Sequence, residues 1–119
     1  IGLARDDAEG REKARLLNFE FFGAPCAVFI FMDRALTHWS NFDLGLFADF
    51  TLTAHALGLG TCLQAALTGY SDAIRGCLGI PQDKKLVISL SLGYPDYDAP
   101  LNAYHSAREP SEKFVTYYD

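Results

Sequence analysis

Apolar and polar positions change period several times along the chain, and each change predicts an element. Over 6–22, Asp6 and Asp7 precede a stretch that ends in Leu16, Leu17, Phe19, Phe21 and Phe22. Acidic residues suit the positive end of a helix dipole, so the pattern predicts a helix here, stopped by Gly23, Ala24 and Pro25. Cys26 to Met32 is an unbroken apolar run rich in Val, Ile and Phe, which predicts a central strand covered on both faces. Leu46, Phe47, Phe50, Ala54 and Leu57 return at helical spacing, predicting the longest helix over Ser40 to Leu57 with Gly58 as its stop. Ser40 and Asp43 have capping-box spacing at its start. Phe42, Leu44 and Leu52 lie on its other face, so this helix should be buried nearly all round, in a monomer core or at the middle of a dimer.

Beyond it, residues 60–67 read as a short extended segment. Ser71 or Asp72 should cap a short helix running to Leu78 and stopped by Gly79 and Pro81. Leu86 to Leu92 reads as a second core strand, with Ser89 and Ser91 placing small residues on one face. Residues 96–108 read as irregular, and Pro110 to Tyr117 as a short helix or terminal arm. Helices interleaved with two or three strands predict an α/β or α+β domain with helices packed on a thin sheet. No linker or repeat divides residues 1–119, which read as one partial domain.

Composition narrows the function classes. The 119 residues are half apolar, with a net charge of −5. A mildly acidic chain is a poor match to nucleic-acid phosphate, and it carries no polybasic segment for anionic lipid. The longest apolar run is far too short to span a bilayer. No apolar signal segment follows the first turn. The three cysteines, Cys26, Cys62 and Cys77, sit in apolar settings without a Cys-x-x-Cys pair, and read as buried reduced thiols of a cytoplasmic protein. The chain opens at Ile1 and its only methionine is Met32, so it reads as a piece of something longer.

Candidate chemistry is sparse. Gly58-Leu59-Gly60 follows a helix rather than a strand, and position 63 is Leu, so it fails as a dinucleotide loop. His38, His55 and His105 lack ligand spacing, no G-x-S-x-G elbow occurs, and no acidic cluster suggests a metal site. Neither a catalytic side chain nor a metal ligand is therefore assigned. Few polar groups suffice where a flavin performs the hydride transfer and the protein positions it. Gln64-Ala65-Ala66, following a glycine-containing turn, suits the close backbone approach that such a ring needs. Arg108, in a turn-rich stretch, is free to meet a phosphate.

Several ordered motifs add a resemblance. Phe42-Asp43-Leu44-Gly45 and the run from Ala54-His55-Ala56-Leu57-Gly58 through Leu63-Gln64-Ala65-Ala66 resemble the central helix and flavin loop of the FMN-dependent nitroreductase family. Ile74-Arg75 with Leu78-Gly79-Ile80-Pro81, then Leu92-Gly93-Tyr94-Pro95, then Arg108-Glu109-Pro110 with Val115, resemble later segments in family order. The resemblance covers residues 25–118. It implies an α+β nitroreductase-like sandwich, a central mixed sheet flanked by helices, incomplete in this chain.

It further implies an intertwined homodimer with FMN at the interface, the C-terminal arm wrapping the partner. NADH or NADPH would reduce the FMN, which would reduce a nitroaromatic, quinone or similar acceptor. Leu63, Gln64, Ala65 and Ala66 match the loop lying against the flavin, and Arg108 the residue reaching its phosphate. The stretch His38-Trp39-Ser40-Asn41-Phe42 would lie near the interface and acceptor pocket. The family's N-terminal arginine- and serine-rich phosphate segment has no counterpart in this sequence. The alternative is a non-enzymatic, flavin-free dimerisation or binding module of the same fold.

Overall fold

The computed structural model describes residue 4 and residues 6–118; the reading of the opening residues as lacking a signal segment falls partly on 1–3, outside the described residues. Helix α1, Ala8–Leu16, starts where Asp7 accepts a hydrogen bond from the Gly10 amide at 2.8 Å. Glu9 in its first turn and Lys13 and Arg15 in its last complement the dipole. It buries no residue. The expected 6–22 helix stops at Leu16 because the following aromatics are recruited elsewhere. Leu17–Gly23 forms a 3-10 turn that ends with Phe21 at φ 52° and Phe22 at φ 54°, both left-handed. Phe19 meets Tyr70 edge-on at 5.1 Å and Phe21 meets Phe29 at 6.0 Å. Those contacts help hold a backbone conformation that costs about 1–2 kcal/mol per non-glycine residue.

Strand β1, Cys26–Asp33, and strand β2, Gly60–Gln64, both pair antiparallel with β3, Lys84–Gly93, in the order β1-β3-β2. The α+β expectation stands, but the described sheet is antiparallel throughout rather than mixed. The central strand is β3, not the apolar run of β1, which lies at an edge. Two neighbours bury Ser89, Leu90 and Ser91, so small side chains mark the true centre. Register runs from Cys26 opposite Leu92 to Asp33 opposite Lys84, with one irregularity between Ile30 and Phe31. On the other side, Gly60 pairs with Gly93 and Gln64 with Ser89.

The expected 40–57 helix is two helices, α2 (Trp39–Phe47) and α3 (Phe50–Ala56). Around Ala48 and Asp49 the backbone stays right-handed, but the Asp49 amide bonds back three residues to Leu46 at 3.1 Å, a 3-10 tightening. The Ser40–Asp43 capping box does not form: His38 precedes the helix and no side chain caps it. Nor is this region buried all round. Trp39 is 72% exposed, and Phe42, Leu46, Phe47, Leu52 and Leu57 are also exposed. All three cysteines are exposed and unpaired, against the expectation of burial.

Helix α4, Ser71–Leu78, ends as expected at Gly79 in the left-handed conformation, but Tyr70 precedes it without a side-chain cap. Instead the Ser71 hydroxyl accepts from the Leu86 amide at 3.1 Å. Buried Arg75 pins α4 to the start of β3. It donates to the Lys84 carbonyl at 3.0 Å, to Gln82 at 2.9 Å and to Asp72 at 2.6 Å. The buried apolar set is small: Ile30, Met32, Ala54, Leu67, Leu86 and Leu90. Residues 96–108 are irregular as expected apart from a 3-10 turn at Pro100–Ala103, and within 110–117 the only helical piece is the 3-10 turn Ser111–Lys113. No helix among the described residues is long and apolar enough to cross a membrane.

Two glycines should resist alanine for different reasons. At Gly93 an added Cβ would sit 2.8 Å from a ring carbon of Pro25, an overpacking that costs about 1–3 kcal/mol. Gly79→Ala should cost about 1–2 kcal/mol through its φ of 66° alone. Thermal unfolding should show a lower midpoint for both.

Charge at the sheet's end should also titrate. The Lys84 ammonium, 2.8 Å from Asp33, holds that carboxyl below its usual range, helped by the Ala35 amide. Asp33, then Asp83, push Lys84 above its own usual value. The Asp33 contribution is present above the unfolded value of about 3.9 and fades as pH falls through the depressed one; the Lys84 contribution is present below about 10.4 and fades as pH rises through the raised one. The stability gap between wild type and Asp33→Asn should therefore be open at neutral pH and close in acid below pH ~4.

Candidate functional site

The end of β2 builds the expected loop. Strand alternation turns Leu63 outward and Gln64 inward, so Leu63 is 52% exposed and Gln64 1% exposed. Ala65 and Ala66 are exposed, and Leu67 is buried again. Two small exposed residues are thus held between two buried anchors. Ala66–Tyr70 is a 3-10 turn, whose first amides have no carbonyl partner inside the turn. The Ala65 carbonyl accepts from both the amide and the hydroxyl of Thr68, at 3.0 and 2.8 Å. This arrangement offers Leu63, Ala65 and Ala66 as a fixed apolar ledge edged by backbone amides.

Gln64 does not offer its side chain. Its Nε2 donates to the Asn18 carbonyl at 2.9 Å, and its own carbonyl accepts from the buried Ser89 hydroxyl at 2.8 Å. Its Oε1 is buried without a partner. Any contact of Gln64 with a ligand in this conformation is therefore through its backbone.

Arg108 lies in the exposed C-terminal stretch. Its guanidinium donates to the Ser106 hydroxyl and, at 3.3 Å, to the Ala107 carbonyl. Among the described hydrogen bonds and ion pairs none joins Arg108 to residues 63–66. The loop residues come together by chain continuity; Arg108 stands apart, free to reach an anion. The stretch His38-Trp39-Ser40-Asn41-Phe42 opens α2, with the His38 and Trp39 rings 4.8 Å apart and Trp39 and Phe42 facing out.

Sequence reasoning missed two clefts at the opposite end of β2. One, of about 500 Å³, is lined by Phe21, Phe22, Pro25, Cys62 and Tyr94 among others; the other, of about 610 Å³, by Thr51, His55, Tyr97 and His105. Gly60, Thr61, Pro95 and Asn102 line both. Their sequence signal was the set of glycines and prolines at the strand ends, where backbone comes close: Gly60 against Pro95, Gly93 against Pro25. Within the first cleft, surrounding atoms push the Cys62 thiol up, although much of the residue is exposed. A thiol so shifted is a poorer nucleophile at neutral pH. No cluster of metal-ligating side chains is found among the described residues.

A comparison with known proteins agrees with this geometry. A family model described as "Nitroreductase family" matches residues 2–94. The chain is 37% identical over 111 residues to a 4-nitrobenzoate reductase of Pseudomonas putida, covering 92% of this chain and 48% of that protein. It is 33% identical over 118 residues to a 4-nitrobenzoate reductase of Nocardioides sp. (strain LMS-CY), covering 98% and 48%. Its backbone is similar to the crystal structure of the FMN-dependent nitroreductase NfnB from Mycobacterium smegmatis in complex with NADPH, with a TM-score of 0.94 at 28% identity, over 99% of this chain and 53% of that one. The chain spans about half the length of the curated relatives it matches.

Proposed function

This chain belongs to the nitroreductase family, and we propose that it is part of an FMN-dependent oxidoreductase that uses NADH or NADPH to reduce nitroaromatic, quinone or similar acceptors by two-electron transfer. The observation that carries this reading is joint similarity in sequence and backbone, along nearly the whole chain, to proteins described as nitroreductases. Residues 1–119 would be one part of a single domain.

The residues present fit a flavin. A flat ring needs an apolar surface with amides at its edge, and the exposed Leu63, Ala65 and Ala66 supply one after an inward Gln64. Bound FMN supplies the hydride chemistry at its own N5 atom. Leu63 and the Gln64 backbone lead the chain to the ring, and the Ala65 and Ala66 backbone amides favour negative charge developing beside them. Arg108 neutralises the phosphate with a planar, permanently charged donor set. His38-Trp39-Ser40-Asn41-Phe42 gives the acceptor an aromatic wall. No side chain of this chain is assigned as proton donor or base.

A second copy, together with the remainder of the protein, would cover the exposed face of α2 and α3. A compact monomer of 13.1 kDa would expose about 6,400 Å²; this chain exposes 9208 Å². The excess marks surface that further polypeptide would cover. Unpaired cysteines support a cytoplasmic setting.

The test is the visible spectrum of the full-length protein after FMN loading and removal of the excess, followed by NAD(P)H-driven reduction of a nitroaromatic. Near-stoichiometric flavin and turnover are expected. Arg108→Ala should raise the FMN Kd roughly ten- to hundredfold, the usual worth of a charge-assisted hydrogen bond, with little change in thermal midpoint. Failure to retain flavin would leave the flavin-free binding module as the reading.

A further inference from the structure

We infer that Ser89 and Gln64 are positioning residues that aim the Ala65 amide at the bound flavin; the inference rests on the flavin reading of the 63–66 loop. A glutamine beside a cofactor loop would ordinarily be expected to offer its amide to the ligand. Here the chain turns it inward and holds it from two remote parts of the sequence. Its side-chain nitrogen bonds to Asn18 in the 3-10 turn of Leu17–Gly23, and its main-chain oxygen to Ser89 in β3.

The second contact has a directional consequence. The Gln64 carbonyl and the Ala65 N–H belong to one planar trans peptide unit, so they point in opposite directions. Ser89, 0% exposed, fixes the carbonyl at 2.8 Å on the β3 side. Fixing the carbonyl fixes the plane, and the Ala65 N–H is left pointing away from β3. Because β2 is the outer strand on its side of β3, that direction leads off the open edge of the sheet. None of the described hydrogen bonds is donated by the Ala65 amide. The amide is thus held rigidly outward, ready for an acceptor atom that the chain does not supply.

Packing alone does not call for this pair. An apolar side chain of similar volume at 64 would fill the same space without burying an unpartnered Oε1. Alanine at 89 would keep a small residue in the centre of the sheet. What the two polar groups add is orientation: Leu67 anchors the far end of the loop by burial, which has no preferred direction, whereas Gln64 and Ser89 set an angle.

The experiment uses the full-length, FMN-loaded protein with Ser89→Ala and, as a volume-conserving second variant, Gln64→Met. Measured are the FMN Kd, the visible circular dichroism of bound flavin at saturation, and its two-electron midpoint potential. Both variants should weaken FMN about three- to tenfold, the worth of one ordinary hydrogen bond. Both should change the bound-flavin dichroism and lower the potential, because a misaimed amide no longer favours the reduced ring. If either variant folds and shows only a lower thermal midpoint, with the saturated spectrum and potential unchanged, Ser89 and Gln64 are structural and the inference fails. If Arg108→Ala weakens FMN while both of these variants leave it untouched, the flavin reading stands and the positioning role alone falls. If the wild-type protein retains no flavin, both fall together.

Discussion

The constraint on which everything else depends is that this chain cannot cover its own apolar surface. Its radius of gyration is 17.4 Å, where a compact domain of this length would have about 13.5 Å. The uncovered part is concentrated in Trp39, Phe42, Leu46, Phe47, Leu52 and Leu57, on two successive helices. Side chains of this kind are strongly driven out of water. A row of them at helical spacing is a core waiting for its other half. Further polypeptide, from a second copy and the remainder of the protein, supplies that half in the reading above. The cysteines have apolar neighbours in sequence, which is why burial was expected, but all three are exposed in the structure.

Within that incomplete shell the sheet is the rigid part. β3 has a neighbour on each side, and its buried middle alternates Leu86, Leu90 and small serines that let the layers come close. β2 projects from it as a short outer strand whose last residue is fastened twice. The 63–66 loop therefore begins at a doubly fastened residue, as the proposed flavin site would require. The two clefts at the other end of β2 lie where glycine and proline let strand ends approach, and they share no residue with the 63–66 loop.

Much of this was legible in the sequence, and the failures have a common cause. The apolar runs at 26–32 and 86–92 are strands, the segment expected to be extended over 60–67 is a strand only to Gln64 before a 3-10 turn begins at Ala66, and the stops at Gly58 and Gly79 are left-handed glycines. Those features are local, and local chemistry fixes them. Strand order is not local: the more apolar run looked central, but two-sided pairing went to β3 and left β1 at the edge. The helix over 40–57 broke because a 3-10 tightening at Ala48 and Asp49 preserves the apolar period while dividing the hydrogen-bond ladder. Gln64 lies in the extended segment as expected, yet its inward turn depends on Asn18 and Ser89, 46 and 25 positions away. Arg108 was named as a phosphate ligand, and its freedom from partners in the body of the chain is compatible with that role without drawing it toward the loop.

Two of the breaks in local rules adjoin one another. Phe21 and Phe22 hold left-handed backbone that costs energy, and Gln64 buries an oxygen with no partner. These are linked: the 3-10 turn that contains the two phenylalanines also presents the Asn18 carbonyl that takes the Gln64 amide, and its Phe19 ring meets Tyr70 at the end of the loop. A chain optimised only for stability would relax the first and replace the second. Keeping both sets the turn, the loop and the sheet edge in one fixed relation. Among the described residues Arg75 Nε is also buried without a partner, where α4 meets β3, so this junction is one of two places that keep such a cost, and it is the one at which the flavin reading calls for a fixed orientation.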